Sequence, residues 1–318
     1  MAALFFCVIY FAALGVILVE FNLIDLKILV STDDPRRINS LVLSMGRDFA
    51  TACRRVTCDH TGIFCRNCPL VAECSWYQVF AQELSADPVA LKRHQKPPLP
   101  FAFSFRAPES AEYVDGMVES RLVVIGRAIH HLEMILFGFS EFLSNNPCQF
   151  KGKIEQILCR DYQGTLLPLN TDIQISQNNS LVVLSVSDLL AGFPDTPSSV
   201  TFKLLTPLKI LKNGKQLKYF DFSQFARSLM RRVSSLAYYY ADFEFSSDYL
   251  ELALHSADFV CVEDCFLLDV NTKGGGVIGQ GCFRGDFTGY MPFILLGTFL
   301  NVGKSATYGM GCYVIDLA

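Results

Sequence analysis

Leu122-Val123-Val124-Ile125-Gly126-Arg127-Ala128-Ile129 passes from strand to helix, and the order of elements around that step decides the fold. Met117–Val124 reads as a strand, and the apolar pattern from about Gly126 to Leu143 reads as a helix. Upstream, Pro97-Pro98-Leu99-Pro100 holds the backbone extended into a strand at Phe101–Phe105. Downstream, Lys153–Cys159 reads as another strand. Earlier still, Glu20-Phe21-Asn22-Leu23-Ile24-Asp25-Leu26-Lys27 alternates as a strand of about 16–30 does. Asp33-Asp34-Pro35 then suits a helix start, and Ile38, Leu41, Val42, Met45, Phe49 and Ala52 recur at helical spacing to about Arg55. Set aside the cysteine-rich stretch and a short helix through Tyr77-Gln78-Val79-Phe80, and the order is β-α-β-β-α-β, a ferredoxin-like arrangement.

The second half repeats it. Val200–Ile210 is a strand, Asn213-Gly214 a turn, Phe222–Tyr240 a helix and Tyr249–His255 a shorter one. Phe259–Asp269 and Val277–Phe287 are strands flanking Gly274-Gly275-Gly276, Gly289–Leu300 is a helix and Tyr308–Asp316 the last strand. The expectation is an α+β chain of tandem ferredoxin-like, RRM-like modules with a cysteine-rich insertion in the first. Module boundaries fall at 15–176, with the cysteine loop at 57–75, and at 199–318. Polar, turn-rich residues 177–198 are the expected linker. The competing arrangement is one large α+β domain.

Bulk composition agrees with two cores: 318 residues, 51% hydrophobic, can bury enough surface for two modules. Net charge of −4 argues against a protein coated in basic surface, so a nucleic-acid site would be a local patch. Twelve cysteines without a secretory pattern point to a reducing, cytoplasmic setting. Ala2–Val19 carries no charge and could cross a bilayer as a helix. The strand-like alternation behind it, with no Lys or Arg before Lys27, favours instead a buried first strand preceded by a spare apolar extension, 1–14.

Pro100-Phe101-Ala102-Phe103 after the cysteines, and Leu122–Ile129, resemble the "PFvl … l.l.G.A." segment of CRISPR repeat-processing endoribonucleases of the RAMP superfamily, the Cas six family of C-terminal-domain type. Val200–Leu208 resembles the opening strand of their C-terminal domain, and Phe225–Leu236 its first helix. Gly303-Lys304-Ser305-Ala306-Thr307-Tyr308-Gly309-Met310-Gly311-Cys312-Tyr313 resembles the family's glycine-rich loop, usually close to GKGTTFGLGRY. The resemblance covers about residue 50 to the end. It implies binding of repeat RNA and its cleavage without a catalytic metal: the ribose 2′-hydroxyl attacks the adjacent phosphate and leaves a 2′,3′-cyclic phosphate. A base must take the 2′-proton, an acid must protonate the 5′-oxygen, and cations should meet the charge on the phosphorane. A non-cleaving RNA-binding subunit of a CRISPR effector complex shares the fold and needs no base. Two departures matter: Leu267–Lys273 lacks the basic run common before the last hairpin, and residues 31–57 contain no histidine where the family tends to place its catalytic one.

Candidate residues follow. Gly303, Lys304, Ser305, Tyr308, Gly309 and Gly311 are expected to meet RNA, with glycines letting backbone N–H groups approach a phosphate and Lys304 adding charge. Arg227, Arg231 and Arg232, at i, i+4 and i+5 of one helix, read either as a phosphate-gripping face or as a solvated one. Lys209, Lys212, Lys215 and Lys218 crowd a nearby turn. His60, His94 and His131 are the candidate bases: His60 beside the cysteines, His94 in the basic run Lys92–Lys96, and His131 on the helix after Gly126, where its neighbour His130 faces another side. Cys58, Cys65, Cys68 and Cys74, spaced C-x6-C-x2-C-x5-C, suggest a structural zinc with His60 as a substitute ligand; the alternative is thiols packed as small hydrophobes.

Overall fold

The structure, a computed structural model, describes residues 21–60, 62–94, 96–106, 116–169, 181–192, 197–270 and 275–317. The apolar extension, the opening of the first strand and the possible membrane segment ahead of it lie outside those residues. Among the described residues no helix is long and apolar enough to cross a membrane.

The first module opens with β1 (Asn22–Thr32) and α1 (Ile38–Thr57). After the cysteine loop come α2 (Ser75–Phe80) and α3 (Pro88–Arg93), then β2 (Phe101–Arg106), β3 (Met117–Ile125), α4 (Leu132–Ser144), β4 (Gly152–Arg160) and β5 (Leu166–Leu169). The sheet order is β2-β3-β1-β4-β5, antiparallel throughout, as a ferredoxin-like unit with one added edge strand requires. α1 buries Ile38, Leu41, Met45, Phe49, Ala52 and Cys53, the stripe set by its helical period. Against it lie Ile24, Leu26 and Ile28 of β1 and Leu122 and Val124 of β3, all fully buried. The turn after β3 differs from expectation. Gly126–His131 winds as a 3-10 helix, and the α-helix starts only at Leu132. Gly126 has φ +55°, and any side chain there would strike the Tyr240 carbonyl, so glycine is required.

The stretch expected to be a linker is partly ordered structure. β6 (Leu184–Ser185) pairs with β1, and α5 (Val186–Ala191) follows. Leu184 and Val186 are buried in the core shared with the second module. That module comprises β7 (Ser199–Leu208), β8 (Leu211–Lys212), β9 (Lys215–Gln216), α6 (Phe222–Ala241), α7 (Tyr249–His255), β10 (Val260–Asp269), β11 (Gly276–Arg284), α8 (Met291–Leu300) and β12 (Tyr313–Leu317). Its four-stranded sheet has the order β10-β11-β7-β12, the same 2-3-1-4 order as the first module. β8 and β9 form a separate hairpin. α6 is capped by Asp221, whose carboxylate accepts from the Gln224 N–H.

Met291-Pro292-Phe293-Ile294-Leu295-Leu296-Gly297-Thr298-Phe299-Leu300 is apolar nearly all round, as a helix covered on both sides must be. One side serves its own sheet; the other meets the first module, where Leu23, Val123 and Ile125 join the second module's core. In that seam Arg121 donates to the Thr298 carbonyl at 2.9 Å and to both oxygens of buried Asp25, at 2.7 and 2.9 Å. The modules are therefore packed, not strung together.

Candidate nucleic-acid interface

The glycine-rich segment lies between the modules. Val302 N–H donates to Gly311 O and Gly311 N–H to Pro207 O, closing the loop on itself and on β7. Phe103 N–H donates to Thr307 O at 2.9 Å, and Phe103 and Tyr308 form a parallel bridge, so the loop covers the free edge of β2. Tyr308 packs against Phe101 and against Gly46 of α1; burial pushes its phenol up to about 12. The last strand consequently starts at Tyr313, five residues later than the sequence suggests.

These contacts correct the expected phosphate cradle. The N–H groups of Lys304, Tyr308, Gly309, Met310 and Gly311 all donate to carbonyls of the chain itself. Gly309 and Gly311 are buried, and a side chain at Gly311 would run into the Val302 carbonyl. Those two glycines serve close packing and positive φ, not approach of a ligand. Only Lys304 and Ser305, at the tip, are exposed.

The tip rests on the root of the lysine hairpin. Lys304 N–H donates to Lys209 O at 2.8 Å, and Gly303 lies so close to the same carbonyl that no side chain fits. From Lys209 the chain runs into the β8–β9 hairpin, whose Lys212, Asn213, Gly214 and Lys215 are all exposed, with Asn213 and Gly214 at positive φ. Lys212 and Arg227 then line one shallow hollow of about 500 Å³ beside the start of α6, together with Ser223 and Gln224. Asp221 also lines it, 3.9 Å from the Lys212 ammonium, a long pair between groups that reach solvent. A cationic rim is thus traced by Lys304, Lys209, Lys212 and Arg227 on linked segments: the Lys304 backbone bonds Lys209, from which the chain leads into the Lys212 hairpin, and Lys212 shares a hollow with Arg227.

The three arginines of α6 do not form one face. Arg231 is exposed, and Arg227 is exposed with a bond to the Ala253 carbonyl. Arg232 turns inward, donating to Leu300 O at 2.9 Å and reaching Thr307 Oγ1 at 3.5 Å. Burial lowers its pKa to about 10. It braces the helix against the glycine-rich loop, while part of its side chain still reaches the surface.

The candidate bases are scattered. His94, although in a basic run, is buried: it is 5% exposed, stacked on Tyr238 at 4.8 Å, with Ser235 Oγ 3.4 Å from its Nδ1. His131 is half-buried with Nδ1 3.1 Å from Ser75 Oγ, and burial, then the neighbouring His130, pushes its pKa below the ordinary histidine value. His130 is exposed. His60 is half-buried and lines a second hollow together with Cys58, Cys65, Cys68 and Cys74. Although the four cysteines share that hollow, among the described residues no three His, Cys, Asp or Glu side chains are gathered tightly enough to make a metal-binding group.

Residues 202–313 match the family described as CRISPR-associated endoribonuclease Cas6, and residues 21–172 match a family described only as an N-terminal domain. No curated protein matches the chain in sequence. Among solved structures, Cas6 (TTHB231) of Thermus thermophilus in a product complex aligns with a TM-score of 0.54 at 14% identity, covering 92% of this chain and 100% of that one. A Cas6 (TTHA0078) product complex aligns at 0.52 and 12% identity, covering 93% and 99%. The partial Cas6-RT-Cas1–Cas2 complex aligns at 0.52 and 11% identity, covering 94% of this chain and 46% of that chain. These likenesses show a shared fold.

Proposed function

We propose, from the match of residues 202–313 to the Cas6 family of CRISPR-associated endoribonucleases and from the shared fold, that the chain is a member of that family, binds CRISPR repeat RNA and cuts the repeat-containing transcript. The observation that carries the reading is the cationic rim, where the exposed tip of the glycine-rich loop docks on the lysine hairpin and Lys212 shares a hollow with Arg227. Lysines on a hairpin and a loop tip suit a phosphate backbone, which sets register without reading sequence.

In the proposed reaction a 2′-oxygen loses its proton to a base and attacks the neighbouring phosphorus. The 5′-oxygen leaves with a proton from an acid, giving a 2′,3′-cyclic phosphate and a 5′-hydroxyl. No metal takes part in these steps. His131 is the best-suited base: it is held neutral near pH 7 by burial, and Ser75 fixes one ring nitrogen while leaving the other. His60 is next. His94 is closed to a substrate by the rings around it.

One observation favours the second reading, a non-cleaving RNA-binding subunit: α1 and its approach, residues 31–57, hold no histidine. Incubating the protein with its repeat RNA in EDTA separates the two. A 2′,3′-cyclic phosphate product supports the enzyme, and tight binding without product supports the subunit. Repeat transcripts as substrate would accord with a cytoplasmic setting. The fold's occurrence in a Cas6-RT-Cas1–Cas2 complex supports partners from the CRISPR machinery.

A further inference from the structure

We propose that Cys58, Cys65, Cys68 and Cys74 bind one zinc ion and that this ion, not a hydrophobic core, holds the loop between α1 and α2. The loop's own packing motivates the idea. From Cys58 to Gln78 not one described residue is buried, and Ile63, Phe64 and Leu70 are exposed, Phe64 to 83%. Such a segment cannot offset its ordering entropy by burying apolar surface. Small units in that position rely on a cross-link or a metal. No disulfide joins these four cysteines.

What the loop does turn inward is sulfur. All four cysteines are half-buried amid exposed neighbours, and all four line one hollow. The backbone already winds around it: Cys68 N–H donates to Cys65 O, Val71 N–H to Cys68 O, and Cys74 N–H to Val71 O. Cys58 caps the end of α1, and Cys74 stands at the start of α2. A four-thiolate site would therefore tie both helices to one point. The thiols ring the hollow without converging, and among the described residues no metal-binding group is preformed. The loop has no core to resist closing, so the thiols can rotate to zinc–sulfur bonds of about 2.3 Å, each losing its proton as it binds. A zinc with four thiolates carries two negative charges. Arg54 lines the same hollow, its guanidinium held over the Trp76 ring at 5.3 Å, and supplies positive charge beside it. That favours four sulfurs over a set in which neutral His60 replaces one.

The test uses the full-length protein, expressed in zinc-supplemented medium and purified without added metal. Elemental analysis is expected to return about one zinc per chain, with Cys65→Ser plus Cys68→Ser reducing it at least about tenfold and Cys261→Ser leaving it unchanged. As a control independent of the folding of the double variant, wild-type protein is stripped and titrated with cobalt(II). One equivalent should produce thiolate-to-cobalt charge-transfer bands and the intense visible bands of a tetrahedral site, which zinc then erases. Absence of those bands, with four thiols in this loop still titrating freely, overturns the proposal. So does iron in place of zinc, or a disulfide among the four. The outcome is independent of whether the protein cuts RNA.

Discussion

The side-chain amide of Asn301 donates to the Phe103 carbonyl at 2.8 Å and to the Ala306 carbonyl at 2.9 Å, so one buried residue joins the end of α8, the edge of the first sheet and the glycine-rich loop. The backbone at Asn301 has φ +56° and ψ 176°, outside the left-handed helical region and rare for any residue but glycine, so its surroundings must hold it there. Asn301→Ala would leave two buried carbonyls without this donor, a loss of about 1–3 kcal/mol. Urea unfolding should show the unfolding free energy lowered by that much, with Ser305→Ala at the exposed tip changing it little. An Asn301→Ala protein as stable as wild type would show that the loop is not a clasp between modules.

Asp25 makes the second cross-module tie. It is 1% exposed, and Arg121 and Arg160 both bond it while Arg121 continues to Thr298 and stacks over the Phe299 ring at 4.8 Å. Removing the carboxylate charge leaves two guanidinium groups facing each other. Asp25→Asn is expected to cost about 3 kcal/mol, the lower end for a broken buried pair because both arginines partly reach solvent. Arg160→Gln, losing the more exposed partner, should cost less than Arg121→Gln. Equal costs, measured by thermal unfolding, would place the main anchor of Asp25 elsewhere.

Much of this was readable beforehand. The stripe of α1 and the doubled β-α-β-β-α-β order follow from local periodicity, which needs no partner to be seen. What local pattern does not carry depends on contacts far away in sequence. Leu181-Val182-Val183-Leu184, between polar runs, looks like part of a linker, because a two-residue strand is too short for alternation to mark it. His94 sits among charged neighbours, yet the tyrosines that enclose it come from α6. Arg232 has the spacing of a surface residue, and only the loop packed over it turns it inward. Gly309 and Gly311 signalled special backbone correctly. Whether a glycine serves a ligand or a neighbouring strand is not written in its spacing.

His131 supplies a pH signature. Burial, with His130 beside it, holds its pKa below the ordinary 6.5, so the unfolded chain takes up the proton more readily than the folded one. The folded state gains from the neutral ring, fully so above about 6.5, and loses that gain as pH falls from there through the folded value. Stability of the wild type should therefore decline on acidification in this window. His131→Gln should decline less, while Ser75→Ala should weaken the orientation of the ring without removing the slope. An identical pH profile for His131→Gln and wild type would mean that the imidazole is not held neutral by its site.

Lys304 tests the interface itself. Its ammonium stands on an exposed tip, while its backbone N–H is already committed to Lys209 O, so replacing the side chain should leave the loop's packing intact. If the rim from Lys304 through Lys212 to Arg227 follows an RNA backbone, Lys304→Ala should weaken binding by a similar factor for every repeat sequence and lower the slope of log affinity against log salt by about 0.7 to 1, the loss of one counterion-releasing contact. Lys212→Ala should act the same way, and the two losses should add, because the side chains sit on separate elements and share no bond. Arg232→Ala is the contrast: its guanidinium braces Leu300 from within, so it should lower thermal stability first and leave the salt slope of the surviving folded protein unchanged. A Lys304→Ala, Lys212→Ala double variant with wild-type affinity and wild-type salt slope would move the RNA path off this rim altogether.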